Sequence, residues 1–162
     1  MFFGPPPSFA QILLEKTNIT EDAIKEYLIA NNKKLDPIEG IWSANSLEVR
    51  NETEKRENPN FGRVAVIRDS ANAFRDYKMI FLEGKDYVPH TVISEFINTT
   101  YPSVYLTQIY KSDGSKDSWN FTIDKVGLLA GKKNYMENNV RIYKELFFVK
   151  IFLRESDIYP TD

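Results

Sequence analysis

The chain has 162 residues and no cysteine, and its 21 Lys and Arg stand against 23 Asp and Glu, a formal net charge of −2. The lack of cysteine excludes a disulfide framework, a thiolate metal site and a cysteine nucleophile. The near-balance of charge gives no long-range attraction for nucleic acid or anionic lipid. Apolar residues make up 42% of the chain and aromatics 14%, with nine Tyr and eleven Phe, which suits one domain of half-buried, pleated strands.

The opening segment, "MFFGPPPSFAQILL", lacks a basic n-region, and Pro5-Pro6-Pro7 break any apolar helix there, so it does not read as a signal peptide. No apolar run approaches the roughly 20 residues of a spanning helix. Neither observation assigns a compartment. Ser8 is positioned to cap a short helix through Lys16. Asn18 and Glu21 then have capping-box spacing for "NITEDAIKEYLIANN", with Glu21 and Asp22 placing negative charge in the first turn. Ile24, Tyr27 and Leu28 fall on one stripe, while Lys25 and Glu26 face away. Asn31-Asn32 can end the helix in a left-handed conformation, and Pro37 forbids its continuation. Residues 1–35 therefore read as a helical arm packed on the domain.

Beyond Pro37 the apolar period changes from helical to alternating. "IEGIWSA" (38–44) opens a first strand, and "ANSLEVRNETEKRENPN" (44–60) reads as a solvated loop because Glu54-Lys55-Arg56-Glu57 alternates in sign. Strands follow at 62–69, 74–83, 90–97, 103–110, 117–124, 125–131 and 145–154. "KKNYMENNVR" (132–141) reads as an irregular connection. The joints carry turn chemistry at Asn60-Phe61-Gly62, Glu83-Gly84-Lys85, Tyr101-Pro102 and Ser112-Asp113-Gly114. Short successive strands without helical crossovers specify an antiparallel up-and-down sheet, and about eight of them suffice to close a barrel. Residues 36–162 form that second part of the folding unit.

Closure brings the end of the last strand beside the start of the first. Gly40 then permits a close approach of the closing chain, and Trp42 meets a cation. Arg154 is the expected partner of its ring, with Arg141 as second choice. Along "DSWNFTID", Trp119, Phe121 and Ile123 should point inward and Ser118, Asn120 and Thr122 outward. The neighbouring strand offers Tyr105 with Thr107, or Leu106 with Gln108, of which Tyr105 is chosen. The other inward rings are Tyr77 and Phe81, with Phe147 and Val149 on the last strand.

Gly40-x-Trp42 on the first strand, an up-and-down run of eight strands and a late Arg resemble the lipocalin and fatty-acid-binding-protein group, the calycins. The stretch Leu35–Trp42 also looks like a segment of uncharacterised bacterial lipocalin-like domains, some of which sit behind peptidase domains. The resemblance covers about residues 35–155. It implies a mainly β, lipocalin-like barrel that holds a small apolar ligand, with Gly40, Trp42 and Arg154 anchoring its base.

Chemistry-bearing motifs are few. His90 is the only histidine, so a multi-His metal site cannot be assembled, and no Gly-x-Ser-x-Gly elbow is present. "DGSKD" (113–117) lacks the alternating ligands of a calcium loop and reads as a hairpin turn. The seven glycines are scattered and make no phosphate loop. Sequons stand at Asn18, Asn51, Asn98 and Asn120, with no other sign of a secretory route. No catalytic residue, metal or cofactor is therefore assigned.

Two main readings follow. In a binding domain, Tyr77, Phe81, Tyr105, Trp119 and Phe121 line a lumen for a small hydrophobic ligand. In an interaction module, the same rings fill the barrel and a protein partner docks on the exterior, the arm or residues 44–60. The number of large rings favours a filled or narrow lumen. A barrel isomerase or hydrolase working through Tyr, Glu or Arg is a third reading.

Overall fold

A computed structural model describes residues 14–154 of the chain. One helix, α1 (Glu21–Ala30), precedes eight strands: β1 (Gly40–Arg50), β2 (Glu54–Arg68), β3 (Tyr77–Gly84), β4 (Thr91–Asn98), β5 (Val104–Tyr110), β6 (Lys116–Ile123), β7 (Leu128–Glu137) and β8 (Val140–Phe152). Every strand pairs antiparallel with its sequence neighbour, and β8 pairs with β1, so the sheet is a closed barrel. The fold is mainly β, as the alternation specifies.

The arm differs from its sequence reading in three details. The Ser8 end of the expected first helix lies outside the described residues, and the other end, Leu14–Lys16, is extended. Lys16 bridges antiparallel to Thr91, and the Val92 amide donates to the Glu15 carbonyl at 2.7 Å. The cap of α1 is Thr20 rather than Asn18, its hydroxyl accepting from the Ala23 amide at 3.1 Å. Thr20 stands immediately before two acidic residues, so one side chain and the local charge act on the same first turn. At the other end Asn31 is not left-handed (φ −109°), and its backbone and side-chain N–H groups both donate to the Tyr27 carbonyl. A side chain satisfies the helix end there.

The two segments read as irregular are hairpins. Residues 44–60 continue β1 and β2, which pair out to Arg50 opposite Glu54 around Asn51 and Glu52 (φ 50° and 65°). Residues 132–141 continue β7 into β8 around Asn138 and Asn139 (φ 51° and 64°). Two successive positive φ angles are the signature of the tight turn whose twist matches paired strands, and Asn tolerates them. β1 and β8 also pair along this stretch, from Ser46 opposite Leu146 to Arg50 opposite Ile142. β2-β1-β8-β7 thus project beyond the barrel body as a four-stranded flap. Apart from the buried Ile142, most of its side chains are exposed or half-exposed, so its polarity carries no argument against strand.

Lower in the barrel β2 and β3 bury both faces. Val64, Val66, Met79 and Phe81 point into the lumen. Between them Ala65, Ile67, Ile80 and Leu82 point out and form a second core with Ile24 and Leu28 of α1. This explains the uninterrupted apolar runs "VAVI" and "MIFL", which a sheet solvated on one side would not need. The buried Glu39 ties the layers together. It accepts hydrogen bonds from the Tyr27 hydroxyl (2.7 Å), the Asp36 amide (3.0 Å) and the Arg68 amide (2.9 Å), and this satisfies a charge that would otherwise be costly to bury.

The Asn138-Asn139 turn yields a stability test. Asn139→Val should lower the unfolding free energy by about 1–2 kcal/mol, the cost of holding a branched residue in the left-handed region, whereas Asn139→Gly should not lower it. Urea denaturation of the two variants measures the difference.

Candidate functional site

The floor of the lumen is built where β1 begins. Trp42 is fully buried and its indole N–H donates to the Ile38 carbonyl at 3.1 Å. A Cβ on Gly40 would lie 2.8 Å from the Phe152 carbonyl oxygen, so only glycine lets β8 close against β1 here. The cation over the Trp42 ring is Lys150, whose Nζ lies 4.9 Å from the ring centroid and donates to the Pro37 carbonyl at 2.7 Å. β8 pairs Lys150 directly with Trp42, which is why this residue reaches the ring. Arg154 follows two residues after β8 and is exposed. Arg141, the second choice, is at the opposite end of β8, bound to Glu52 at 3.1 Å. Beside the floor, the Tyr77 hydroxyl donates to Asp36, which also pairs with Arg68. Burial, then the hydrogen bond to Asp36, raise the Tyr77 pKa, so the phenol stays protonated.

Rings fill the lower lumen. Tyr105 meets Tyr77 edge-on at 5.9 Å, and Phe96 meets Tyr105 and Phe121 edge-on at 6.3 Å and 5.9 Å, the geometry that pairs the positive edge of one ring with the face of another. Gly131 makes room for Phe121, since a Cβ there would lie 2.6 Å from the ring. Tyr77, Phe81, Tyr105, Trp119 and Phe121 are all buried in this inner cluster, while Leu106 is exposed. On β8 the expected parity is reversed. Phe148 is the inward ring, whereas Val149 is 45% exposed and Phe147 is partly exposed on the outer face. The run Leu146–Val149 is apolar on both faces, so alternation could not set its register; the pairing of Ala44 with Phe148 does.

Above the rings the lumen opens. A cavity of about 320 Å³ is lined by Ala44, Val64, Met79, Ile93, Phe96 and Phe148 among others, with Tyr87, Ser94, Asp86, Lys111 and Ser112 as its polar groups. Ser94 donates to the Gln108 carbonyl at 2.9 Å and Tyr87 to the Tyr110 carbonyl at 2.7 Å. The Tyr87 phenol is pushed up to about 12 by burial, then by Asp86 and Asp113, so it remains neutral. A second cavity, about 400 Å³, lies under the flap and shares Ile109, Lys111 and Leu146 with the first. Trp119 forms part of its wall.

Of these lining residues, Phe96 and Met79 are inward by strand parity, whereas Phe148 is set inward only by the register of β8 against β1. Ala44 and Lys111 carry no such signal, because the first is small and the second stands at a turn. His90 stands in the turn immediately before β4 with φ 68°, and its Nδ1 lies 3.2 Å from the Ile19 carbonyl; it meets the arm rather than the lumen. Among the described residues no three His, Asp or Glu side chains converge as metal ligands, and no helix is long and apolar enough to cross a membrane. No protein-family model matches the chain, and no curated protein or solved structure matches it.

Lys150 makes the floor sensitive to pH. Burial pushes its ammonium down to about 8 from an ordinary 10.5, with Glu39 opposing. The unfolded chain therefore binds the proton more tightly between these values, and stability contributed by this residue rises as pH increases through that window. Wild type should gain stability relative to Lys150→Met between pH 8 and 10.5. Chemical denaturation of both proteins across that range checks it, and a constant difference would count against a buried ammonium.

Proposed function

We propose that the protein is a non-enzymatic, lipocalin-like binding domain for a small apolar molecule held in the upper lumen. The observation that carries this reading is the cavity of about 320 Å³, which is at the lower end of the range for small-molecule sites. Its wall is mostly aliphatic and aromatic, and its few polar groups gather on one side. The Ser94 and Tyr87 hydroxyls already donate to backbone carbonyls, which leaves their oxygens as acceptors for a ligand group. Lys111 supplies a cation at the border between this cavity and the one under the flap. A ligand with an apolar body and one polar end fits this distribution, since a small number of fixed polar groups orients it. Phe121 contributes the base on which that body rests; Tyr77, Phe81 and Tyr105 are buried in the same inner cluster without lining this cavity, and Trp119 lines the neighbouring one under the flap.

Titration with phenylnaphthylamine, a neutral dye that brightens in apolar surroundings, tests the reading. Wild type should give a saturable increase in dye emission. Ala44→Leu places a larger side chain in the cavity wall and should weaken binding by about tenfold or more, with the near-ultraviolet circular dichroism retained. Equal binding by both proteins, or no saturable signal from either, would overturn it.

A further inference from the structure

The wall of the barrel has a seam between β6 and β7. These strands pair only at Phe121–Ile123 opposite Gly131–Leu129. Beyond that point each continues with its other neighbour, β6 with β5 to Lys116 and β7 with β8 to Glu137. No backbone ladder joins Lys116–Asn120 to Lys132–Glu137. Side chains close the interval instead. The Lys133 ammonium lies 2.6 Å from Asp117 Oδ1 and 4.9 Å from the centre of the Trp119 ring, and the Trp119 indole N–H donates to Asp117 Oδ2 at 3.2 Å.

Trp119 is also the partition between two spaces. On one side is the cavity under the flap, which continues past Ile109 and Leu146 into the inner cavity. On the other is an outer groove of about 370 Å³ that includes Ile97, Leu106, Trp119 and Lys133. Ile97 and Leu106 are a cross-strand pair, 37% and 52% exposed, and offer an apolar landing surface outside the seam.

We infer that the β6–β7 seam is a lateral portal for an apolar ligand, with Trp119 as its gate and the Lys133–Asp117 pair as the latch. This rests on the binding reading above. A route through hydrogen-bonded strands would require breaking a backbone ladder, whereas this one requires only a side-chain rotation and the loss of one partly exposed ion pair. Pairs of that exposure contribute little individually, so the latch can open often without destabilising the barrel. A latch that closes alike over the empty and the occupied lumen sets the barrier and not the end states, so releasing it speeds entry and exit together.

Lys133→Met and Asp117→Asn in the full chain provide the test. In stopped flow, the association and dissociation rates of phenylnaphthylamine should both rise roughly three- to tenfold, the combined weight of a partly exposed ion pair and a ring contact. Equilibrium affinity should stay within about twofold, as a change in barrier alone requires. Acrylamide should quench Trp119 more strongly in both variants, while Trp42, observed alone in Trp119→Phe, should be unaffected. Dye that binds with unchanged rates would overturn the portal and leave the binding domain standing. Dye that binds to none of the proteins would remove the binding reading and the portal together. Unchanged quenching in both variants would overturn the latch whatever the dye does.

Discussion

The pairing of β1 with β8 is the constraint on which the rest of the molecule depends. It joins residues 92 to 111 positions apart, from Arg50 opposite Ile142 to Ile41 opposite Phe152, so its loop-closure entropy is offset only when many contacts form together. Gly40 permits the approach, the buried Trp42 fills the space behind it, and Lys150 crosses the ring. Once the first and last strands are joined, no edge remains around the lower barrel. The inner side chains then have a single shared interior, and the rings that fill its base define how much space is left above.

Closure also determines where polar groups can go. Outward positions of β2, β3 and β4 are covered by α1, so this side of the barrel is apolar on both faces. The arm that supplies α1 is secured by charge as well as by burial. Arg75, only 5% exposed in its side chain, pairs with Glu15 at 2.9 Å and with Asp69 at 2.8 Å. Glu95 adds a third carboxylate at 3.6 Å, and a buried guanidinium with such partners is stable where an unpaired one would not be. At the other end the flap leaves its charges in water, and the polar rim of the lumen lies between the two regimes. The seam occurs on the side away from α1, where β6 and β7 diverge without an outer layer to hold them.

Much of this was legible from residue order. Alternation in "DSWNFTID" placed Trp119 and Phe121 inside, and the Gly40-x-Trp42 spacing located the floor. The failures have physical causes. In "ELFFVKIF" four consecutive apolar residues erase the two-residue period, so residue order does not separate Phe147 and Val149, which face out, from Phe148, which faces in. Lys150 crosses the Trp42 ring because the β1–β8 register sets it opposite, a placement that residue order alone does not give. Asn51-Glu52 and Asn138-Asn139 are turn sequences without glycine, and the polar strands around them resemble loops because the flap has no buried face of ordinary size. The cavity was not legible at all. It depends on how far Phe96, Phe121 and Phe148 fill the cross-section, which is a property of packing and not of pattern.

Native-state amide hydrogen exchange, resolved by residue, tests the account most directly. Closure at β1–β8 with a weak place at the seam requires that amides of β1 and β8 bonded to each other exchange only through global unfolding. Those of β6 and β7 above Phe121 and Gly131 should exchange through local openings at a much lower free energy. The opposite pattern, with β1–β8 amides exchanging locally and the upper β6–β7 amides protected to the global limit, would contradict it.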